Sequence, residues 1–351
     1  MTQIPIPRLN APDIHSPLQV VLAGGSGHLG RVLQRHFVAQ GHRVRLLSRQ
    51  RLPESSNAIW WDGRNLGKWV ERLAGTDILI NLSGRSVDCR YTAVHRQEIL
   101  ESRVRSTQLL GEALLRLDAP PRLWLNASTA TIYRHALDRD MDEASGEIDG
   151  VEPNSAGAWN FSAEVAKRWE EALWECEARG TRKVALRTAM VMSPEVGGAF
   201  DALLRLVRWG FGGTIGDGSQ YVSWIHDTDF TRVIDYLLSH DPVAGPVNVT
   251  APGPISNSVF MRILRAAWGN RIAIPTPNAV LEVGTFFLRT ESELVLKSRR
   301  VVPRRLLEGG FCFQFPHWDD AARDLVIRWK NRENGHKVPD SLQPSFRKEA
   351  A

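Results

Sequence analysis

Three features of the 351-residue chain predict an α/β protein built on a doubly wound parallel sheet of Rossmann type, with a smaller α+β substrate lobe toward the C-terminus. A strand, a glycine loop, an amphipathic helix and a second strand follow one another between Leu18 and Arg49. Apolar strand-like runs then alternate with helix-length segments as far as Arg187, the rhythm of right-handed βαβ crossovers. Beyond Met192 the rhythm stops, and Gly197-Gly198, Gly210, Gly212-Gly213, Gly216 and Gly218 punctuate a region built from excursions.

The first unit opens with the apolar run Val20 to Ala23, a buried strand, followed by Gly24-Gly25-Ser26-Gly27-His28-Leu29-Gly30. Glycines at 24, 27 and 30 each have a reason to lack a side chain. The first makes the tight turn, the second lets the backbone approach a pyrophosphate, and the third lets helix and strand pack closely. Leu29, Val32, Leu33 and Phe37 recur at helical spacing and Gly41 stops the helix, so its N-terminal N–H groups point at the phosphates. The same spacing can arise in a surface turn, but here strand, loop, helix and strand stand in the required order. All seven loop residues are therefore candidate cofactor contacts.

Val44, Leu46 and Leu47 begin the second strand, which ends in Ser48 and Arg49, with Arg51 close behind. A carboxylate at that end would favour NAD, whereas a cation favours the 2'-phosphate of NADP. No Asp or Glu occupies the place, so the expected cofactor is NADP (NADPH), held by Ser48 and Arg49. The alternative is that these arginines are solvated loop charges.

After the polar stretch Gln50 to Asn57, Ala58 to Trp61 reads as a third strand and Asp62 as either a turn cap or a neighbour of the adenine. Trp69, Val70 and Leu73 form a helical face. Ile78 to Leu82 is a continuous apolar run typical of a parallel strand covered on both faces. Its end, Leu82-Ser83-Gly84, lies where the cofactor's ribose and phosphate would pass. Tyr91 to Leu117 is a long helix broken by Pro120-Pro121. Leu123 to Ala127 is the next strand, running into Ser128-Thr129-Ala130-Thr131-Ile132-Tyr133. Residues His135 to Ser155, rich in Asp, Glu and Gly, are expected to form a mobile loop rather than core. Ala158 to Arg179 is a second long helix and Val184 to Arg187 a strand. Further on, Val222 to His226 is a short strand, Thr228 to Ser239 a helix, Val247 to Val249 a strand and Ser256 to Trp268 a helix, with two more helical segments between Ala279 and Lys330. The expected division is a flexible leader over 1–17, a nucleotide-binding domain over 18–193 with 225–250 returning to it, a substrate lobe from 194–224 and 251–330, and a frayed tail over 331–351.

Composition excludes several functions. The net charge of +5 and pI near 9.3 suit anionic ligands, but the charge is not gathered into the aromatic-interleaved patches of a nucleic-acid reader. Cys89, Cys176 and Cys312 are too few and too far apart for a disulfide framework or a C-x-x-C zinc site. The His226, Asp227 and Asp229 constellation reads as helix capping, so no metal is expected. Met1 to Pro17 has no signal-peptide core and no later run approaches a membrane span. A cytoplasmic protein with a small-molecule substrate is expected, with no nucleic-acid or membrane partner; a homodimer is compatible with the sequence.

Taken together these residues resemble the extended short-chain dehydrogenase/reductase superfamily, and within it the atypical epimerase-like branch that carries a C-terminal domain of unknown function. The resemblance runs from about Leu18 to Leu325. It rests on the glycine loop, Leu47-Ser48-Arg49, Asn81 to Gly84, Ser102-Arg103 with Thr107, and Trp169-Glu170. Gly216-Asp217-Gly218-Ser219-Gln220 with Trp224-Ile225-His226-Asp227, and Arg300 to Pro303, complete it. The superfamily places a Ser or Thr at the end of the fifth strand and a Tyr four residues before a Lys. The hydroxyl group holds the substrate oxygen, the Tyr moves the proton, and the Lys lowers the Tyr pKa. The likeness puts Thr129 at the hydroxyl position and Lys167 near the lysine position, and marks Tyr133, Gln220, Trp224 and His226 as substrate-side candidates. Trp224 reads most simply as core, and His226 as a satisfied structural histidine. The Tyr–Lys pair is missing: four places after Tyr91, Tyr133, Tyr221 and Tyr236 stand His95, Leu137, Ile225 and His240, and four before Lys167 stands Ala163. The implied function is an NADP-binding oxidoreductase or epimerase-like enzyme acting on a small polar molecule. Its rival is a non-catalytic NADP(H)-binding or sensing protein.

Overall fold

The computed structural model describes residues 16–51, 57–148, 161–270 and 297–333. Most of the expected leader and of the tail, one of the two late helical segments and part of the Asp/Glu/Gly-rich loop lie outside them. Seven parallel strands form the main sheet: β1 (Gln19–Ala23), β2 (Arg43–Ser48), β3 (Ala58–Trp60), β4 (Ile78–Asn81), β5 (Leu123–Thr129), β6 (Arg182–Thr188) and β10 (Gly245–Val249). Their order is β10-β6-β5-β4-β1-β2-β3. The chain builds outward from β1 to β3, then crosses β1 and builds the other way from β4. The order therefore reverses between β1 and β4, and the crevice that a doubly wound sheet offers a ligand opens at their carboxyl ends.

Both faces of the sheet are covered, which is why its strands read as continuous apolar runs. On one face α1 (His28–Ala39) contributes Leu33 and Phe37, and α5 (Asp227–Ser239) contributes Phe230, Val233, Ile234 and Leu237. The other face packs on Leu109, Leu110 and Ala113 of α2 (Ala93–Leu114) and on Leu173 of α3 (Phe161–Glu175). A third hydrophobic cluster joins α4 (Ala199–Arg208), α6 (Asn257–Trp268) and α8 (Trp318–Glu333), so it draws on segments before and after β10. A five-residue helix, α7 (Arg304–Glu308), seals the β10 edge with Leu306.

Two expectations need correction. The run Val222 to His226 is not one strand. Tyr221–Val222 (β8) pairs with Ile255–Ser256 (β11), while Trp224–His226 (β9) pairs with Met190–Met192 (β7). Ser223 makes the break by turning its hydroxyl to the backbone of Arg299 and Val301. The stretch from His135 is not a solvent loop over its described part. Ala136 and Met141 are fully buried with Val301, and Met141 exchanges backbone hydrogen bonds with Arg300 and Val302 at 2.7 and 3.0 Å. The local composition is polar because the buried contacts are only two residues wide.

Candidate functional site

The glycine loop occupies the β1 end of the crevice. Gly24 has a left-handed backbone (φ +74°) and donates its N–H to Leu47 O at 3.1 Å; a Cβ there would lie 2.8 Å from the backbone of Leu82 and Ser83. Gly25 is pressed against Leu46, and Gly30 against the backbone of Gly25. These three glycines are required by the fold itself. Gly27 differs. Its backbone is ordinary (φ −72°, ψ 176°), and a Cβ would meet only Gly24 O, at a comfortable 3.5 Å. It is the N-cap of α1, a helix that starts with no capping side chain and no carboxylate in its first turn. Ser26 gives its carbonyl to Arg31, and Leu29 packs on the core. The His28 ring lies on Gly198, with both nitrogens buried and no hydrogen-bond partner among the described residues; burial, and then the Arg31 charge, push its pKa below the ordinary imidazole value.

At the end of β2 the Ser48 hydroxyl accepts the Gln50 N–H at 3.1 Å, and Arg49 lies exposed with its side chain running across Gly63. Asp62 resolves as the turn cap: one oxygen accepts the backbone N–H groups of Arg64 and Asn65, both at 2.8 Å, and the other accepts the Asn65 amide.

The β4 end faces the loop, with Leu82 N–H bonded to Ala23 O at 2.8 Å. Asn81 orients the backbone there by accepting the Ser83 N–H, and is itself fixed by Asn126 and Thr107, while Trp169 donates its indole N–H to Thr107. The Ser83 hydroxyl is buried with no partner among the described residues. Gly84 is small for a reason the sequence did not reveal. A Cβ on it would stand 3.0 Å from the guanidinium carbon of Arg103. Arg103 lies over the Trp169 ring and donates to the carbonyls of Arg85 and Ile99, and burial pushes its pKa down to about 10. Ser102-Arg103 was legible as a family mark but carried no assigned role.

At the β5 end Thr129 caps a short 3-10 turn, its hydroxyl accepting the Thr131 N–H at 3.2 Å. Ser128 beside it donates to Glu170 at 2.6 Å. Glu170 and Arg187 form a bidentate pair at 2.8 Å, both almost wholly buried. Arg187 also donates to the Tyr133 hydroxyl, which donates in turn to Asn248, each at 2.9 Å. Burial works against the Arg187 charge, but the bonds to Glu170 and Tyr133 outweigh it and hold its pKa above the usual range. Tyr133 is 1% exposed, and burial raises its pKa. Its hydroxyl is held on the protein side by Arg187 and Asn248.

Helix α3 turns Ser162, Ala163 and Ala166 inward, Ala166 packing on Ala130, Ile132 and Tyr133. The buried positions of that face spaced four apart, Ser162 and Ala166, carry neither a tyrosine nor a lysine. Lys167, one position round the helix, is half-buried and is not brought to Thr129 by any contact the structure shows.

The other substrate-side candidates are also buried. Trp224 is 0% exposed and packs on Trp318, with ring centroids 4.9 Å apart. Gln220 is buried and donates to Ile215 O. His226, 0% exposed, accepts the Thr228 N–H as the cap of α5, bonds Asp324 at 3.0 Å and stacks on Phe315. All three are buried among the described residues. Burial holds the His226 pKa down despite Asp227 and Asp324, with Arg328 adding to the effect. The unfolded chain therefore takes up a proton near pH 6.5 that the folded chain refuses, and stability is lost as pH falls through that value. We expect urea midpoints to drop between pH 7.5 and 5.5, and to drop less in His226→Gln; His28 acts in the same direction, so identical slopes in the two proteins would count against this role. Among the described residues no cluster of three His, Cys, Asp or Glu is placed to hold a metal ion, and no helix is long and apolar enough to cross a membrane.

The model of the NAD dependent epimerase/dehydratase family matches residues 20–250. The chain belongs to that family. A domain of unknown function (DUF1731) matches residues 276–325 of this epimerase-family chain. The human epimerase family protein SDR39U1 is 30% identical over 312 residues, 88% of this chain and all of the relative. YfhF of Bacillus subtilis is 29% identical, covering 88% of this chain and 98% of its own length. The crystal structure of human SDR39U1 with NADPH superposes with a TM-score of 0.76 over 88% of this chain and 99% of that one. A nucleoside-diphosphate sugar epimerase from Corynebacterium glutamicum superposes at 0.69 with 26% identity, over 93% of this chain and 64% of that one.

Proposed function

We propose that this epimerase-family chain binds NADPH across the β1–β4 crevice and acts on a small polar molecule as an oxidoreductase or epimerase-like enzyme that works without the Tyr–Lys pair. One observation carries the binding: Gly27 is a glycine that the fold does not need. Its conformation suits any residue and a Cβ there has room, so the missing side chain is explained by a ligand lying over the open N-terminus of α1. The unpartnered Ser83 hydroxyl across the crevice fits the same ligand, and the human relative is a protein whose structure holds NADPH.

When bound, NADPH supplies a hydride. The free N–H groups of α1 would hold its pyrophosphate, Ser48 and Arg49 its adenosine ribose and 2'-phosphate, and Leu82, Ser83 and Gly84 the passage between the two halves. Thr129 is the family-type hydroxyl at the reacting end, and it can orient a substrate oxygen. A Thr hydroxyl is too weak an acid to be an efficient proton donor near neutral pH. The proton must then come from the substrate or a water. The same inward face of α3, with Ser162 and Ala166, is what favours the second reading: a protein that binds NADP(H) as a sensor and performs no chemistry.

The cofactor reading is tested by titrating NADPH and NADH against the wild type and Arg49→Ala. A charge-assisted contact to the 2'-phosphate contributes roughly 1.5–3 kcal/mol. NADPH should bind the wild type more tightly than NADH, and Arg49→Ala should lose about ten- to a hundredfold in NADPH affinity alone. Equal affinities in both proteins would overturn it.

A further inference from the structure

The outer end of the sheet holds a second arginine that the cofactor reading has not used. Arg51 is exposed like Arg49, and among the described residues no carboxylate pairs with either. Asp62, the acid nearest in sequence among the described residues, is committed to the N–H groups of its own turn. The Arg51 guanidinium lies 5.1 Å from the centroid of the Trp60 ring. Trp60 pairs in register with Ser48, is 49% exposed between the buried Ile59 and Trp61, and donates its indole N–H to Arg49 O at 3.2 Å. One indole thus holds the backbone of the first arginine and the guanidinium of the second.

We propose that Arg51, carried on the Trp60 ring, is a second contact for the adenosine 2'-phosphate beside Arg49, and that Trp60 is the positioning residue for both. This rests on the reading that the end of β2 receives the adenosine half of NADPH. Two like charges kept on three residues of chain repel one another, and a dianionic phosphate is the ligand whose charge and oxygen geometry match two guanidinium forks. The ring face fixes the Arg51 side chain before the ligand arrives, which lowers the ordering cost of binding.

The test measures NADPH and NADH dissociation constants for the full-length wild type, Arg51→Ala, Trp60→Phe and Trp60→Ala. Arg51→Ala should weaken NADPH about tenfold and leave NADH unchanged. Trp60→Ala should repeat that pattern with Arg51 intact, and Trp60→Phe, which keeps a ring under the guanidinium, should fall between it and the wild type. Unchanged NADH affinity also reports that each variant folds. If the wild type prefers NADPH and Arg49→Ala removes the preference while Arg51→Ala keeps it, the cofactor reading stands and the role of Arg51 is overturned. Equal losses of NADH and NADPH in Arg51→Ala overturn it too, and no preference in the wild type overturns both readings.

Discussion

Glu170→Ala should destabilise the folded chain by about 3–5 kcal/mol, the usual cost of stranding one partner of a buried ion pair. The Glu170 carboxylate takes two bonds from Arg187 and one from Ser128. Its loss would leave a guanidinium buried beside Tyr133 with only the phenol oxygen to meet it. Ser128→Ala removes one hydrogen bond from the same carboxylate and should cost only about 1 kcal/mol. Urea denaturation of the three proteins measures both. A loss below about 1 kcal/mol in Glu170→Ala would mean that water reaches Arg187 and that the network does not hold the β5 end in place.

The second large effect is an absence of ordinary activity. General acid catalysis by a well-placed group contributes roughly a hundred- to ten-thousandfold, and the inward face of α3 offers Ser162, Ala163 and Ala166 where that group would stand. NADPH-dependent reduction of simple aldehydes and ketones should therefore be negligible, and Tyr133→Phe should not change it. Brisk reduction that disappears in Tyr133→Phe would show that the phenol leaves Asn248 and Arg187 to serve as the acid, against the geometry described here.

The parts of this fold that were readable from sequence are those set by local pattern. Apolar runs covered on both faces announced the parallel strands, and the strand–loop–helix order around Gly24 to Gly30 announced the crevice. What escaped depends on residues brought together from afar. Glu170 and Arg187 sit on different elements, and nothing in either neighbourhood announces a bidentate pair. Met141 looks like part of a polar loop until Arg300 and Val302 pair with its backbone from about 160 positions away. Gly84 reads as part of a ligand passage, and the further reason for its small size, Arg103 of α2 filling its Cβ space, lies about twenty residues away. Tyr133, Gln220 and His226 share the same cause: polar side chains near a motif resemble a binding set, and the partners that hold them inside the protein come from distant segments or from backbone groups that sequence does not display.

The most direct test of the account is Gly27→Ala, with folding stability and NADPH affinity measured on the same protein. A methyl group there has room in the fold and an ordinary backbone to sit on, so stability should stay within about 1 kcal/mol of the wild type, with the lost glycine flexibility if anything favouring the variant. The same methyl would stand over the first turn of α1 where the pyrophosphate must approach, and NADPH affinity should fall at least tenfold. Unchanged affinity in a stably folded Gly27→Ala protein would contradict the claim that the dinucleotide lies on this loop.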